Sequence, residues 1–162
     1  MINLLTLGAA PVRKVLTLSG GAGAHAHNLF LVTGPIRIDE LYGVVTTALA
    51  AGLTAAYFDL WDGTLSVPLT LNTAVLTSLP VGSWFGKQDV AASVMTVQTS
   101  AAGALVEQAA GLAPMHPFEI VPKTAVATYL RLRYTSAGTA SGVIEIKASY
   151  RSHGSGGLSL AS

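Results

Sequence analysis

The clearest hydrophobic pattern lies in residues 29–48, LFLVTGPIRIDELYGVVTTA. An apolar run at residues 29–33 is followed by a Gly34-Pro35 break, and in residues 36–39 isoleucine alternates with charged residues. Strict alternation is typical of a strand with one buried face and one face in water. This region is therefore predicted to be a β-hairpin in a half-buried sheet.

A second region with this pattern lies near the C-terminus. Residues 129–134 and 143–150 alternate apolar with polar positions, and a segment rich in serine, glycine and threonine separates them. The pattern predicts another β-hairpin. Arg131 and Arg133 then share one strand face, where Glu145 on the partner strand is expected to pair with either of them.

Shorter segments rich in β-branched and apolar residues are also predicted to be strands: residues 12–18, 72–80, 93–99 and 118–121. The dipeptide Asp62-Gly63 is a strong signal for a hairpin turn. Pro68 in the second limb of that hairpin lacks an N–H group and predicts an edge strand. Residues 104–110 are the only segment predicted to be helical, and the segment is short.

Three segments are predicted to be irregular. Residues 19–28, SGGAGAHAHN, have the glycine-rich composition of a mobile loop. Residues 81–86 are predicted to form a loop with Trp84 and Phe85 at its tip. The Gly/Ser tail at residues 153–162 is predicted to be poorly ordered.

About eight short strands with turn signals between them, and almost no helix, indicate an all-β sandwich or barrel. We predict a single-domain β-sandwich of jelly-roll type with at most one short helix. A chain of 162 residues suits one domain. The sandwich is expected to span residues 12–152, with an arm or first strand at residues 1–11 and a flexible tail at residues 153–162.

The composition is unusual in its low charge. Charged residues make up 10% of the chain, against about 25% in an average soluble domain. The mean hydropathy is +0.54. A polar surface made of serine, threonine, glycine and backbone loses few solvated ions when another protein covers it. We therefore expect neighbouring subunits to cover much of the molecule.

The sequence argues against several partners. Residues 41–58 carry no charge, but they contain glycines and threonines and are one of several such runs, so no membrane span is predicted. A net charge of +1 provides no basic surface for nucleic acid. The chain has no cysteine, which excludes disulfides and thiolate metal sites.

No catalytic constellation is found. Residues 21–26 match the G-x-G-x-x-A form of the dinucleotide fingerprint, but an apolar β segment follows them where that motif needs a helix. The serine-hydrolase pattern G-x-S-x-G does not occur. His25 and His27 are weak candidates for a metal site, because one chain supplies too few ligands. We therefore predict a protein that is not an enzyme and binds no cofactor.

One candidate binding site is a turn with an aromatic residue. Trp61 lies between Asp59 and Asp62, an arrangement that suggests a carbohydrate platform. Aspartate at such a turn more often caps backbone amides, so capping is the alternative interpretation.

Two further segments are candidates for protein contacts. Trp84 and Phe85 are candidate interface residues, because aromatic residues are enriched in protein interfaces. Packing against their own core is an equal alternative. The apolar N-terminal arm adds Leu4 and Leu5 to the candidates for docking.

Several segments resemble a group of small virion proteins of tailed bacteriophages: FLVTGPIRI at residues 30–38, LYGVVTT at 41–47, YLRLRY at 129–134 and GVIEI at 142–146. In that group an F-x-V-T-G-x-(V/I)-x-(V/I) strand pair opens the domain. A long final hairpin ends in a Tyr-Arg step, as Tyr150-Arg151 does here. The resemblance implies a head decoration (cement) protein, a homotrimer on the outer capsid surface that binds the major capsid protein and stabilises the shell.

The resemblance implies no catalytic residues, and two other roles stay open. A tail, head-tail or fibre-associated virion component belongs to the same structural class. A carbohydrate-binding module for host attachment, using Trp61 with Asp59 and Asp62, belongs to a different class.

Overall fold

The computed structural model describes residues 10–87, 93–99, 117–123 and 125–161, and these residues form eleven strands. In chain order they are β1 (Ala10–Thr17), β2 (Gly23–Val32), β3 (Ile36–Thr47), β4 (Leu53–Trp61), β5 (Ser66–Pro68), β6 (Trp84–Gly86), β7 (Thr96–Gln98), β8 (Phe118–Ile120), β9 (Thr128–Ser136), β10 (Val143–Ser152) and β11 (Leu158–Leu160). Within these ranges no helix is long and apolar enough to cross a membrane.

The strands form two antiparallel sheets. The first sheet has the order β1-β10-β3-β6-β7, and β8 pairs with the first residues of β3. The second sheet has the order β11-β2-β9-β4-β5. Both sheets contribute to one core, whose largest fully buried side chains include Phe30, Phe58, Phe85, Leu132 and Ile144. The predicted all-β sandwich is therefore confirmed.

The two predicted hairpins at residues 29–39 and 129–150 are wrong. In each case the two strands lie in different sheets: β2 and β9 in the second sheet, β3 and β10 in the first. Their connections cross from one sheet to the other. Alternation identifies a strand with one buried face, but it does not identify the strand's partner. At the first crossing Gly34 is needed, because a Cβ there would lie 2.7 Å from the Cα of Gly156.

The predicted pairing of Glu145 with Arg131 or Arg133 is wrong for the same reason. Glu145 lies on β10 in the first sheet, where its carboxylate is 3.6 Å from Arg13 and 3.9 Å from Lys147. Arg131 and Arg133 lie on β9 in the second sheet.

Parts of two segments predicted to be irregular are strands, whereas residues 19–22 and 153–157 lie outside strands. Residues 23–28 belong to β2, which pairs with β9 along almost its whole length. In the tail, β11 pairs with β2, and the ammonium of Lys14 donates a hydrogen bond of 2.6 Å to the carbonyl of Ala161. Glycine-rich composition therefore did not exclude strand pairing in these segments.

The short hairpin around Asp62-Gly63 is confirmed, since Trp61 on β4 lies opposite Ser66 on β5. Pro68 lies on β5, which is at the edge of the second sheet as predicted.

Residues 72–80, predicted to be a strand, form no named strand; within them Ala74 makes a single bridge to Ala56. The predicted helix at residues 104–110 lies outside the described residues.

Candidate functional surfaces

A buried ion pair lies on the outer face of the second sheet. Asp59 on β4 is directly opposite Arg131 on β9. The Asp59 carboxylate is fully buried, and it accepts hydrogen bonds from Nε of Arg131 at 3.0 Å and from Nη2 at 2.5 Å. The hydroxyl of Ser66 donates a further bond of 2.5 Å, and Arg133 lies 3.8 Å away.

Aromatic rings cover this cluster. The guanidinium of Arg131 lies 4.4 Å from the ring centroid of Trp61, and that of Arg133 lies 5.3 Å from the ring centroid of Tyr57. The rings shield the charges from water and strengthen the ion pair. Since both oxygens of Asp59 already accept bonds within the chain, this residue is poorly placed to bind a sugar hydroxyl.

Asp62 caps the turn between β4 and β5. Its Oδ1 accepts hydrogen bonds from the backbone N–H groups of Thr64 at 3.0 Å and Leu65 at 2.6 Å, and its Oδ2 pairs with the ammonium of Lys123. The bond from Lys123 and the two backbone bonds lower the pKa of Asp62 to about 2. Asp62 therefore has the capping role that was the alternative to sugar binding.

Exposed apolar side chains collect at one end of the sandwich. Leu65, Val67, Val121 and Val126 are 58%, 56%, 73% and 41% exposed, and we call these four residues the end patch. The first three line a cleft of about 270 Å³ between the turn after β4 and the segment after β8. Val121 also borders a second depression that contains Val126. Contiguous exposed apolar surface marks a contact site more often than isolated residues do.

The candidate interface residues Trp84 and Phe85 lie on β6, so the prediction of a loop tip is wrong. Phe85 is fully buried and points into the core, where a Cβ on Gly43 would lie 2.3 Å from its ring. Trp84 is half-buried and points to the opposite side of the strand, so only Trp84 keeps a surface that a partner could contact. Leu4 and Leu5 lie outside the described residues, and their role stays a prediction.

Trp84 lies flat against the outer face of the first sheet. A Cβ on Gly86 would lie 2.7 Å from Cζ2 of Trp84, so the absence of a side chain at Gly86 allows the ring to lie across the strand. The ring stacks with that of Tyr42, at 6.0 Å between centroids and 28° between planes. Burial raises the pKa of the Tyr42 hydroxyl, and the negative charges of Glu40 and Glu145 raise it further.

A groove of about 350 Å³ continues from Tyr42 across β3, β10 and β1. We call it the outer groove. Its charged and polar lining residues are Arg13, Glu40, Glu145, Lys147 and Ser149. Oε2 of Glu40 accepts a hydrogen bond of 3.1 Å from the Ser149 hydroxyl.

His25 and His27 lie on β2 and stack with Tyr134 of β9. Their ring centroids are 5.0 Å and 5.5 Å from that of Tyr134, and Nε2 of His27 shares a hydrogen bond of 3.2 Å with its hydroxyl. Burial lowers the pKa of His27, and the nearby His25 and Lys14 lower it further. Among the described residues no three His, Cys, Asp or Glu side chains come together to hold a metal ion.

The sequence did not indicate that Asp59 pairs with Arg131, or that Tyr42 and Trp84 stack. Both pairs join residues distant in the chain, and β-strand patterning gives no register between such segments. The one available signal was the presence of a charged residue in an apolar segment, YFDLW, where an unpaired carboxylate would be costly.

No family model, curated protein or solved structure matches this chain.

Proposed function

We propose that this chain is a non-enzymatic structural protein of a tailed-phage virion. In this proposal it is a decoration protein that binds the major capsid protein on the outer capsid surface as a homotrimer. The observation on which the proposal depends most is the end patch, because it supplies a contact surface that the resemblance did not specify. The trimeric state and the phage origin follow from the sequence resemblance.

The strand order supports a jelly-roll interpretation of the sandwich. Eight strands form the runs β1-β10-β3-β6 and β2-β9-β4-β5, and successive strands mostly alternate between the two sheets. Two facing four-stranded sheets with this kind of connection are typical of jelly rolls, which occur in viral capsid and lectin domains. Strands β7 and β11 extend the edges of the two sheets, and β8 pairs with the first residues of β3. A fold alone does not determine function, so this is support of a general kind.

The end of the first sheet at which β1 begins supports the end patch as the docking surface. Ala10, the first residue of β1, lies in one row with Tyr150, Ile38 and Phe118 across the first sheet. Val121 follows three residues after Phe118, so β1 begins at the end of the sandwich that carries the end patch. We propose that the end patch and the sequence before β1 contact the same capsid surface.

A test of this docking surface is the double variant Val67→Ser/Val121→Ser, measured for binding to undecorated capsids. We expect affinity at least about tenfold weaker, since each buried valine contributes about 1 kcal/mol or more. Val75→Ser is the matched control, because Val75 is 53% exposed and lies outside the end patch. Equal affinity of the double variant and the wild type would refute the end patch as the docking surface.

A further inference from the structure

The outer face of the first sheet combines flat aromatic rings with paired polar side chains. Side chains on this face form two neighbouring rows, each made of residues that lie opposite one another on β1, β10, β3, β6 and β7. The first row is Arg13, Lys147, Tyr42, Gly86 and Thr96. The second row is Val15, Glu145, Val44, Trp84 and Gln98. Residues between these positions, such as Ile146 and Phe85, point into the core. The outer face therefore presents the Tyr42–Trp84 pair beside the outer groove.

The charges of the outer groove balance. Arg13 and Lys147 supply two positive charges, and Glu40 and Glu145 supply two negative charges. An anionic polymer would need an excess of positive charge, which these four residues do not provide. Glu145 lies 3.6 Å from Arg13 and 3.9 Å from Lys147, which is longer than a hydrogen bond, and Glu40 accepts one bond from Ser149. These groups therefore keep bonding capacity for a neutral ligand that both donates and accepts hydrogen bonds.

The dimensions favour an extended ligand. From Trp84 on β6 to Arg13 on β1 the surface crosses three strand spacings, or roughly 14 Å. A surface of this kind suits a chain of several linked rings better than a single small molecule. Aromatic rings lying flat beside hydrogen-bonding groups match a molecule with an apolar face and a polar edge.

We propose that the Tyr42–Trp84 pair and the outer groove bind a neutral oligosaccharide. The C–H face of a sugar ring packs on Trp84, and hydroxyl groups along the chain bond to Glu40, Glu145 and Lys147. The Tyr42 hydroxyl is protonated at neutral pH, as an ordinary tyrosine is, so it can also donate a hydrogen bond. This site is separate from Trp61, where Arg131 lies over the ring and the neighbouring aspartates are already hydrogen-bonded. The proposed sugar site goes beyond the proposed capsid role and does not depend on that role.

The test is titration of the purified protein with maltohexaose, cellohexaose and chitohexaose, followed by NMR shift changes. We expect at least one of these neutral hexasaccharides to shift the signals of Tyr42 and Trp84. Trp84→Ala should weaken that binding at least about tenfold, as expected for a central aromatic contact. Glu40→Gln provides a second variant, because Glu40 is exposed and its substitution leaves the core intact. It should weaken binding by a few-fold while the protein remains folded.

Trp61→Phe is the matched aromatic control on the opposite sheet and should leave the affinity unchanged. Absence of binding by all three hexasaccharides at millimolar concentration would overturn the proposal. Binding that survives both Trp84→Ala and Glu40→Gln would also overturn it, as would binding lost equally in Trp61→Phe. None of these outcomes bears on capsid binding, which is measured separately on particles.

Discussion

Asp59 lies on the outer face of the second sheet, with both carboxylate oxygens hydrogen-bonded to Arg131. Removing one member of a buried ion pair leaves the other charge in a poorly solvated site, which typically costs about 3–5 kcal/mol. We therefore expect Asp59→Asn to lower the free energy of unfolding by an amount in that range. Urea denaturation monitored by circular dichroism measures this change.

Asp39→Asn is the control for that substitution. Asp39 accepts bonds from Arg37 at 3.1 Å and Arg151 at 2.8 Å, but both arginine side chains are more than 40% exposed. Exposed ion pairs contribute about 1 kcal/mol or less. Similar losses for Asp59→Asn and Asp39→Asn would show that the buried pair has no special role in stability.

The carboxylate of Asp62 provides a test by titration. Its pKa is lowered from 3.8 to about 2, with the hydrogen bond from Lys123 as the largest cause. Because the folded state favours the charged form, the stabilisation is present above the unfolded-state pKa and is lost as the pH falls through the folded-state pKa. The pH window therefore lies at and below about pH 4.

We expect NMR titration of Asp62 to give a pKa near the lowered value, and Lys123→Met to raise it. Lys147→Met, which removes a lysine on the other sheet, should leave it unchanged. An Asp62 pKa that is the same with and without Lys123 would contradict the assigned cause.

At the scale of elements, Gly43 of β3 sets the distance between β3 and Phe85 of β6. A Cβ at this position would lie 2.3 Å from the Phe85 ring and 2.9 Å from Cδ1 of Ile146. Both neighbours are fully buried, so neither can move without disturbing the core. Overpacking of this kind typically costs about 1–3 kcal/mol, and we expect Gly43→Ala to lower the free energy of unfolding by that amount.

Gly138→Ala is the matched control, since a Cβ there would meet nothing within 4 Å. That variant should be as stable as the wild type or slightly more stable, because alanine restricts the unfolded chain. Thermal unfolding measures the melting temperatures of Gly43→Ala and Gly138→Ala, and we expect that of Gly43→Ala to be lower. Equal melting temperatures would mean that Phe85 and Ile146 can adjust at little cost.

The strands were largely predictable from the sequence, and their partners were not. The alternation at Ile36 and Ile38 identified a half-buried strand, and Asp62-Gly63 identified the local hairpin correctly. Local turn chemistry acts within a few residues and is visible in sequence. The pairing of β3 with β10, by contrast, depends on contacts between residues about 100 positions apart, for which a single sequence gives no register.

The candidate sites were only partly predictable for a related reason. Trp84 was recognised as a possible contact residue, but its neighbour Phe85 was assigned to the same surface. Adjacent residues on a strand point to opposite sides, so the strand at β6 divides them between surface and core. The outer groove was missed, since Glu40, Lys147 and Arg13 come from three separate strands.

At the scale of the whole molecule, low charge and the end patch favour repeated contact with other subunits. Each contact can be weak when many copies bind one lattice, because the contacts act together. The proposed decoration role therefore requires many copies on each particle, whereas a tail or vertex role requires few.

The most direct test is the copy number of this chain in purified virus particles, measured by quantitative mass spectrometry against the major capsid protein. The proposed role predicts one copy per capsid subunit or a simple fraction of that number. A handful of copies per particle would contradict a lattice-wide role and favour a tail or vertex position. Complete absence from the particles would contradict the virion assignment itself.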